Sequence, residues 1–418
     1  MVPTYLVLRQ LRRNTRLSPD ALRALQARRL RSLVRDAWRD VPWLRRLWQA
    51  AGVAPDDVRA LDDVARLPFT SKVLLRDVPL ADRLARGVSP DRCSVLESSG
   101  SSGQRFGVYK RAHEERYRRA VGLRILLEHG LRWHQRSAQL QQLPGPAVWL
   151  QRLGVARKSW ISTLLPVPTQ LDLFAAARAD VVIAAPTGLR DVLRAAQATG
   201  RALHPARLIV AAGELLDPET RRLVRTMLGA DPVVVYGTTE TGYLAWQCER
   251  RGGLHVSADT HLIEILRGDA PAPAGALGEV VVTDLLARTM PFVRYRTGDL
   301  ARWSRCECGR VFPVIAHGGR ASGTLQLPDG RLVTSPEVVE ALDGTCAPGG
   351  FRVVQERADA VRLELLPPPA GPADAAAATA ALASLVGPLA LETVRVEALP
   401  AGGAGKTPIV VSRLPPPF

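Results

Sequence analysis

Five short stretches of this chain combine residue types that handle phosphate, and they occur in a fixed order. They are Ser98 to Gly103 (SSGSSG), Tyr236 to Glu240 (YGTTE), Tyr295 to Asp299 (YRTGD), Gly319-Arg320 and Gly405-Lys406. In the first, Ser98, Ser99, Gly100, Ser101, Ser102 and Gly103 follow a strand expected over Cys93 to Leu96. Consecutive backbone N–H groups in a glycine-permitted turn can wrap phosphate oxygens, and the hydroxyls add donors. In the third, Asp299 follows a Thr-Gly turn. An ionised carboxylate is acceptor-only, which suits it to receive both hydroxyls of a ribose. In the fifth, Lys406 lies in AGGAGKTP, a loop pliable enough to carry an ammonium to a centre where negative charge develops. Only four of the 56 basic residues are lysines (Lys72, Lys110, Lys158, Lys406). Where charge alone suffices this chain writes Arg, so a lysine inside a motif points to a need for a compact ammonium.

A separate set of soft ligands lies between these motifs. Cys248 and His255 stand in C-x6-H spacing within QCERRGGLH, and Cys306 and Cys308 form C-x-C within RCECGR. Three thiolates and an imidazole from two loops match a closed tetrahedral Cys₃His zinc site, in which no position is left for catalysis. One pair follows YGTTE and the other follows YRTGD, so a metal would staple two loops together. Cys93 and Cys346 read as small buried residues. An odd number of cysteines argues against a disulfide framework and for a reducing cytoplasm.

The elements that must position these residues are legible in part. DVVIAAP (180–186), RLIVAAG (207–213) and PVVVYG (232–237) are short and rich in β-branched residues, and periodic helical segments lie between them at 189–199 and 218–228. That alternation predicts βαβ units and a parallel sheet buried on both faces. It places Ala212-Gly213-Glu214 and YGTTE at the carboxyl ends of strands, where open α/β sheets hold their ligands. HLIEIL (261–266) and GEVVVTDL (278–285) read as strands of an antiparallel or mixed sheet. Residues 18–50 form an amphipathic helical lead-in with Ser18 in capping position, expected to pack on the main domain. After Arg320 short strands and one helix suggest a small α+β domain. The expected fold is therefore α/β, with a large N-terminal domain over 1–320 and a small C-terminal domain over 321–418.

The order of the five motifs resembles the adenylate-forming superfamily of acyl-CoA synthetases, adenylation domains and luciferases, and within it the phenylacetate-CoA ligase and CapK-like branch. The resemblance covers nearly the whole chain. It implies that SSGSSG is the ATP β/γ-phosphate loop, although this chain has Ser101-Ser102 and Gln104-Arg105-Phe106 where the family commonly has a Thr pair and Lys-Pro. Arg105 is the candidate for the missing charge. By the same resemblance Tyr236 faces adenine, Gly213 and Glu214 line its other face, Gly237 lets backbone approach the carboxylate and α-phosphate, and Thr238 is a further nucleotide-binding residue. Thr239 donates to the α-phosphate, Glu240 holds Mg²⁺, Asp299 anchors the ribose, and Arg320 contacts ribose or phosphate. Lys406 serves adenylation from a mobile C-terminal domain, while Ala321-Ser322-Gly323 replaces the usual acidic hinge residue. Members of the branch carry Cys/His at the places held here by Cys248, His255, Cys306 and Cys308.

The implied activity is ATP-dependent activation of a carboxylic acid as an acyl-adenylate, followed by acyl transfer, with coenzyme A the favoured acceptor. An amine or a carrier-protein thiol is the enzymatic alternative, and an inactive nucleotide-binding homologue is the alternative of another class. The expected partners are the small acid and CoA, with an acyl-carrier protein or a homodimer also open. A formal charge of +16 invites a nucleic-acid reading, but the arginines are spread along the chain, with some density in the first 48 residues, which reads as a compositional bias towards Arg. The opening MVPTYLVLRQLRRNTR has no apolar stretch of signal-peptide length, and no later run reaches that of a membrane span.

Overall fold

The computed structural model describes residues 4–98, 106–142, 151, 154–155, 157–347, 349–367, 374–400 and 408–418. The chain divides into two compact units, one of residues 1–126 and 236–317 with Phe418, the other of 127–235 and 318–417.

The first unit begins with the helices Thr4–Asn14, Pro19–Asp40 and Pro42–Ala50. Ser18 Oγ accepts from the Ala21 amide and Pro19 occupies the first turn, where its missing N–H costs nothing. Pro42 then enforces a break, because the residue before a proline is driven out of helical geometry, and Val41 is extended. Leu30, Leu33, Val34, Ala37, Leu44 and Trp48 bury against Leu285 and Val293, so the amphipathic lead-in packs on this unit. The sheet beyond it is antiparallel where His261–Arg267, Gly278–Asp284 and Tyr295–Ser304 pair. Leu254–Val256 pairs with Gly242–Gln247 on one side and with Val314-Ile315 on the other. The strands Ser94–Ser98 and Phe106–Lys110 are antiparallel, with Ser98 opposite Phe106. The helix Ala112–Glu128 follows directly.

In the second unit the strands Lys158–Ser162, Ser137–Gln141, Val181–Ala184, Leu208–Ala212 and Val233–Val235 lie side by side, all parallel. The helices Val167–Ala177, Pro186–Ala198 and Pro218–Leu228 connect them, and the strand and helix side chains share one apolar core. The last helix is bounded as its sequence dictates, by the Asp217 cap on the Thr220 amide and by Gly229 at φ +77°. Residues 324–412 add a four-stranded sheet in the order Ala390–Arg395, Ala360–Leu365, Phe351–Arg357, Val410–Ser412. The helices Ser335–Ala341 and Ala375–Val386 cover it, and Leu325, Val338, Phe351, Leu363, Leu382 and Val410 form its own core. The fold class is therefore α/β with parallel and mixed sheets flanked by helices. No helix among the described residues is long and apolar enough to cross a membrane.

Candidate active site and metal-ligand cluster

Tyr236, Gly237 and Thr238 end the strand Val233–Thr238, and the turn Thr239-Glu240-Thr241 returns the chain into Gly242–Gln247. Gly237 is dictated from within the turn, because a Cβ there would stand 2.4 Å from the Gly242 carbonyl oxygen. The steric demand for glycine is thus already present without a substrate. Thr238 Oγ1 accepts from the Thr241 amide at 3.1 Å and lies 2.9 Å from Thr241 Oγ1, which closes the turn. Two buried side chains hold it from behind. Lys110 Nζ donates to the Glu240 carbonyl at 3.3 Å, and His261 Nε2 lies 2.9 Å from the Thr241 carbonyl. Glu240 itself is only 7 % exposed, yet its carboxylate makes no hydrogen bond among the described residues. A buried carboxylate in the turn after a strand is a hard oxygen ligand of the kind Mg²⁺ takes.

Asp299 lies across the same unit on the strand Tyr295–Ser304. The Thr-Gly turn expected from sequence is a bulge within this strand. Arg296 pairs with Val281 and Leu300 with Glu279, so three residues face one, and Gly298 takes φ +71°. A bulge re-aims the side chain that follows it. The Asp299 carboxylate accepts from Tyr236 Oη at 2.8 Å, and both residues are buried. Two residues read separately from sequence as adenine and ribose contacts are therefore one hydrogen-bonded pair. His317, which no motif flagged, tilts against Tyr236 with ring centroids 4.5 Å apart.

Three other predicted residues belong to the second unit. Gly213, at φ +85°, and Glu214 follow the strand Leu208–Ala212 in the second unit, where Glu214 Oε2 accepts from the Thr187 amide at 3.0 Å. Arg320 ends the strand Val314–Arg320, and its carbonyl accepts from Thr324 Oγ1. Ser99, Gly100, Ser101, Ser102, Gly103, Arg105 and Lys406 lie outside the described residues, and of Ser98 only the backbone is described.

The four soft ligands do converge. The ligating atoms of Cys248, His255, Cys306 and Cys308 lie within 4.8 Å of one another, with Cys248 Sγ 3.6 Å from Cys306 Sγ and Cys308 Sγ 3.3 Å from His255 Nε2. Ligands at ordinary zinc bond lengths around a tetrahedron stand about 3.3–3.8 Å apart, so the set fits. His255 Nδ1 lies 3.2 Å from the Phe312 carbonyl, which can only accept. The Nδ1 nitrogen therefore carries the hydrogen, and the Nε2 lone pair faces the sulfurs, as in metal-ligating histidines generally. Burial pushes the Cys248 thiol up to about 11. Burial acts the same way on Cys308, but hydrogen bonds from Arg310 and the contacts with Cys306 and Cys248 together outweigh it and lower that thiol's pKa. The loop geometry depends on small residues: a Cβ on Gly252 would stand 3.0 Å from Cys306 Sγ, and Gly309 takes φ +75°.

No family model matches the chain. It is 31 % identical over 314 residues to the phenylacetate-coenzyme A ligase of Thermus thermophilus, spanning 71 % of this chain and 69 % of that protein. It is 30 % identical over 310 residues to the phenylacetate-coenzyme A ligase of Aromatoleum evansii, with 68 % and 67 % covered. Among solved structures, 2-hydroxyisobutyryl-CoA ligase in complex with R3-HIB-AMP superposes with a TM-score of 0.75 at 21 % identity, over 93 % of this chain and 88 % of that one. The same ligase with 2-HIB-AMP and CoA gives 0.64 at 20 % identity, over 96 % and 92 %. The structural likeness carries the fold, and the sequence likeness to the two phenylacetate-coenzyme A ligases carries kinship. The chain belongs to the phenylacetate-coenzyme A ligase family of adenylate-forming enzymes.

Proposed function

We propose that this protein is an ATP-dependent acid–CoA ligase that works through an acyl-adenylate. In the first half-reaction a carboxylate oxygen attacks the α-phosphorus of ATP, the bond to the β-phosphate oxygen breaks, and pyrophosphate leaves. In the second the CoA thiolate attacks the acyl carbon and AMP leaves. The observation that carries the reading is the Tyr236–Asp299 hydrogen bond beside the Glu240 turn, in a chain kin to named phenylacetate-coenzyme A ligases. Asp299, with one oxygen oriented by Tyr236, receives the ribose hydroxyls. Thr239 donates to the α-phosphate, and Ser98 to Gly103 surround the outer phosphates. Glu240 would hold Mg²⁺, which supplies charge neutralisation at the phosphates. Gly213, Glu214 and Arg320 complete the nucleotide contacts, and Lys406 stabilises charge that develops during adenylation.

Zinc at Cys248, His255, Cys306 and Cys308 would be structural, supplying a crosslink between the segments that follow the Glu240 turn and the Asp299 strand. Residues 321–418 form the small domain that carries Lys406, a reading supported by the separate core of residues 325–410. CoA is the preferred acceptor because the superposed ligase is solved with CoA and an adenylate. Five free cysteines suit a reducing, cytoplasmic setting. Acid-dependent exchange of labelled pyrophosphate into ATP, measured over aryl, short-chain and hydroxy acids, tests the reading. At least one acid must support exchange, and silence with all of them in folded, nucleotide-binding protein contradicts it.

A further inference from the structure

Lys110 is one of only four lysines, it stands outside every phosphate motif, and it is 6 % exposed. Its ammonium lies 3.9 Å from Asp284 Oδ2 and donates to the Glu240 carbonyl. Asp284 is in turn fixed by the Leu286 and Ala287 amides, both on its Oδ1. His261, 4 % exposed, meets the next carbonyl of the chain, that of Thr241. A carbonyl can only accept, so Nε2 carries the hydrogen. Burial disfavours the charged ring, and Nδ1 lies 2.9 Å from the Thr260 hydroxyl, which is also 3.0 Å from the Ser257 carbonyl. Lys110, His261, Thr241 and Asp284 line a cavity of about 40 Å³. The turn is thus backed by a small cavity of mixed polar and apolar lining, and these two donors meet its carbonyls across it.

We propose that Lys110 and His261 are positioning residues that hold the consecutive Glu240 and Thr241 carbonyls, and so fix the Glu240 carboxylate and the Thr239 hydroxyl in the geometry that adenylation needs. The proposal rests on the acid–CoA ligase reading above. A displacement of this turn by a fraction of a bond length acts first on Thr239 and Glu240, the groups proposed to engage the reacting phosphate and its metal. It should therefore appear in kcat and leave ground-state nucleotide binding nearly intact.

The test uses the full-length enzyme and pyrophosphate release, with phenylacetate as the first probe acid and the aryl, short-chain and hydroxy acids as alternatives. Lys110→Met and His261→Phe should each lower kcat by about 10- to 100-fold while KM for ATP stays within about threefold. His261→Gln, whose amide can still donate to Thr241, should recover most of the rate. Folded Met and Phe variants that keep the wild-type kcat, or that lose KM alone, overturn the proposal, as does a Gln variant no better than Phe. If either fails to fold, Lys110→Gln or His261→Asn, each too short to reach its carbonyl, is judged by the same split. Failure of all four to fold makes the pair ordinary core and also overturns it. Wild-type enzyme silent with every acid defeats the functional reading itself, and the positioning role with it.

Discussion

At the residue scale, the Tyr236–Asp299 pair gives the carboxylate a fixed orientation before any nucleotide arrives. Asp299→Ala should weaken ATP and AMP binding by about 1.5–3 kcal/mol, the scale of hydrogen bonds to a charged group. Calorimetry with ATP, 2′-deoxy-ATP and 3′-deoxy-ATP checks this, and equal binding of all three by the wild type removes Asp299 from the ribose. Lys406→Ala should reduce acyl-adenylate formation by about 100-fold or more with ATP affinity changed only a few-fold, since its charge acts on the transition state. Pyrophosphate release set against calorimetry separates the two effects. The scarcity of lysine drew attention to Lys406 because that residue sits in a motif. The same signal applied equally to Lys110, but nothing around a YKR sequence reveals that its ammonium will meet a carbonyl 130 residues away. Gly298 was legible as a special backbone position, whereas the bulge that places it depends on a strand partner that local sequence does not name.

At the element scale, the ligand cluster joins the loop after Gly242–Gln247 to the loop after Tyr295–Ser304. Purified, untagged protein prepared without chelator should carry about one zinc per chain, and Cys306→Ser should lower both zinc content and Tm. Metal-free protein of undiminished Tm would return these cysteines to ordinary loop residues. A buried ion pair was invisible in the sequence. Arg124 and Asp259 form a fully buried ion pair between the helix Ala112–Glu128 and the segment before His261, and Asn14 of the first helix also donates to Asp259. Asp259→Ala strands a buried guanidinium and should cost about 3–5 kcal/mol in denaturant unfolding, the range for breaking one partner of such a pair. Runs such as VVIA and LIVAA were readable as strands because strands buried on both faces must be apolar. Ser137–Gln141 and Lys158–Ser162 were not, since SAQLQ and KSWIS show no such run and owe their pairing to neighbours.

At the scale of the whole molecule, part of the arginine excess is used in internal pairing. Arg190, Arg194, Arg221 and Arg222 all bind carboxylates of their own unit, the last reaching Asp343 across 121 residues. A chain of this fold and kinship joins an acid to CoA by way of an adenylate. The most direct measurement is mass spectrometry of the products formed from ATP, CoA and the acid panel, with AMP and pyrophosphate quantified in the same reactions. An acyl-CoA should form in equal amount with AMP and pyrophosphate, dependent on all three substrates. Pyrophosphate released with one acid but no thioester would contradict the CoA acceptor, and no acid-dependent pyrophosphate from folded, ATP-binding protein would contradict the ligase itself.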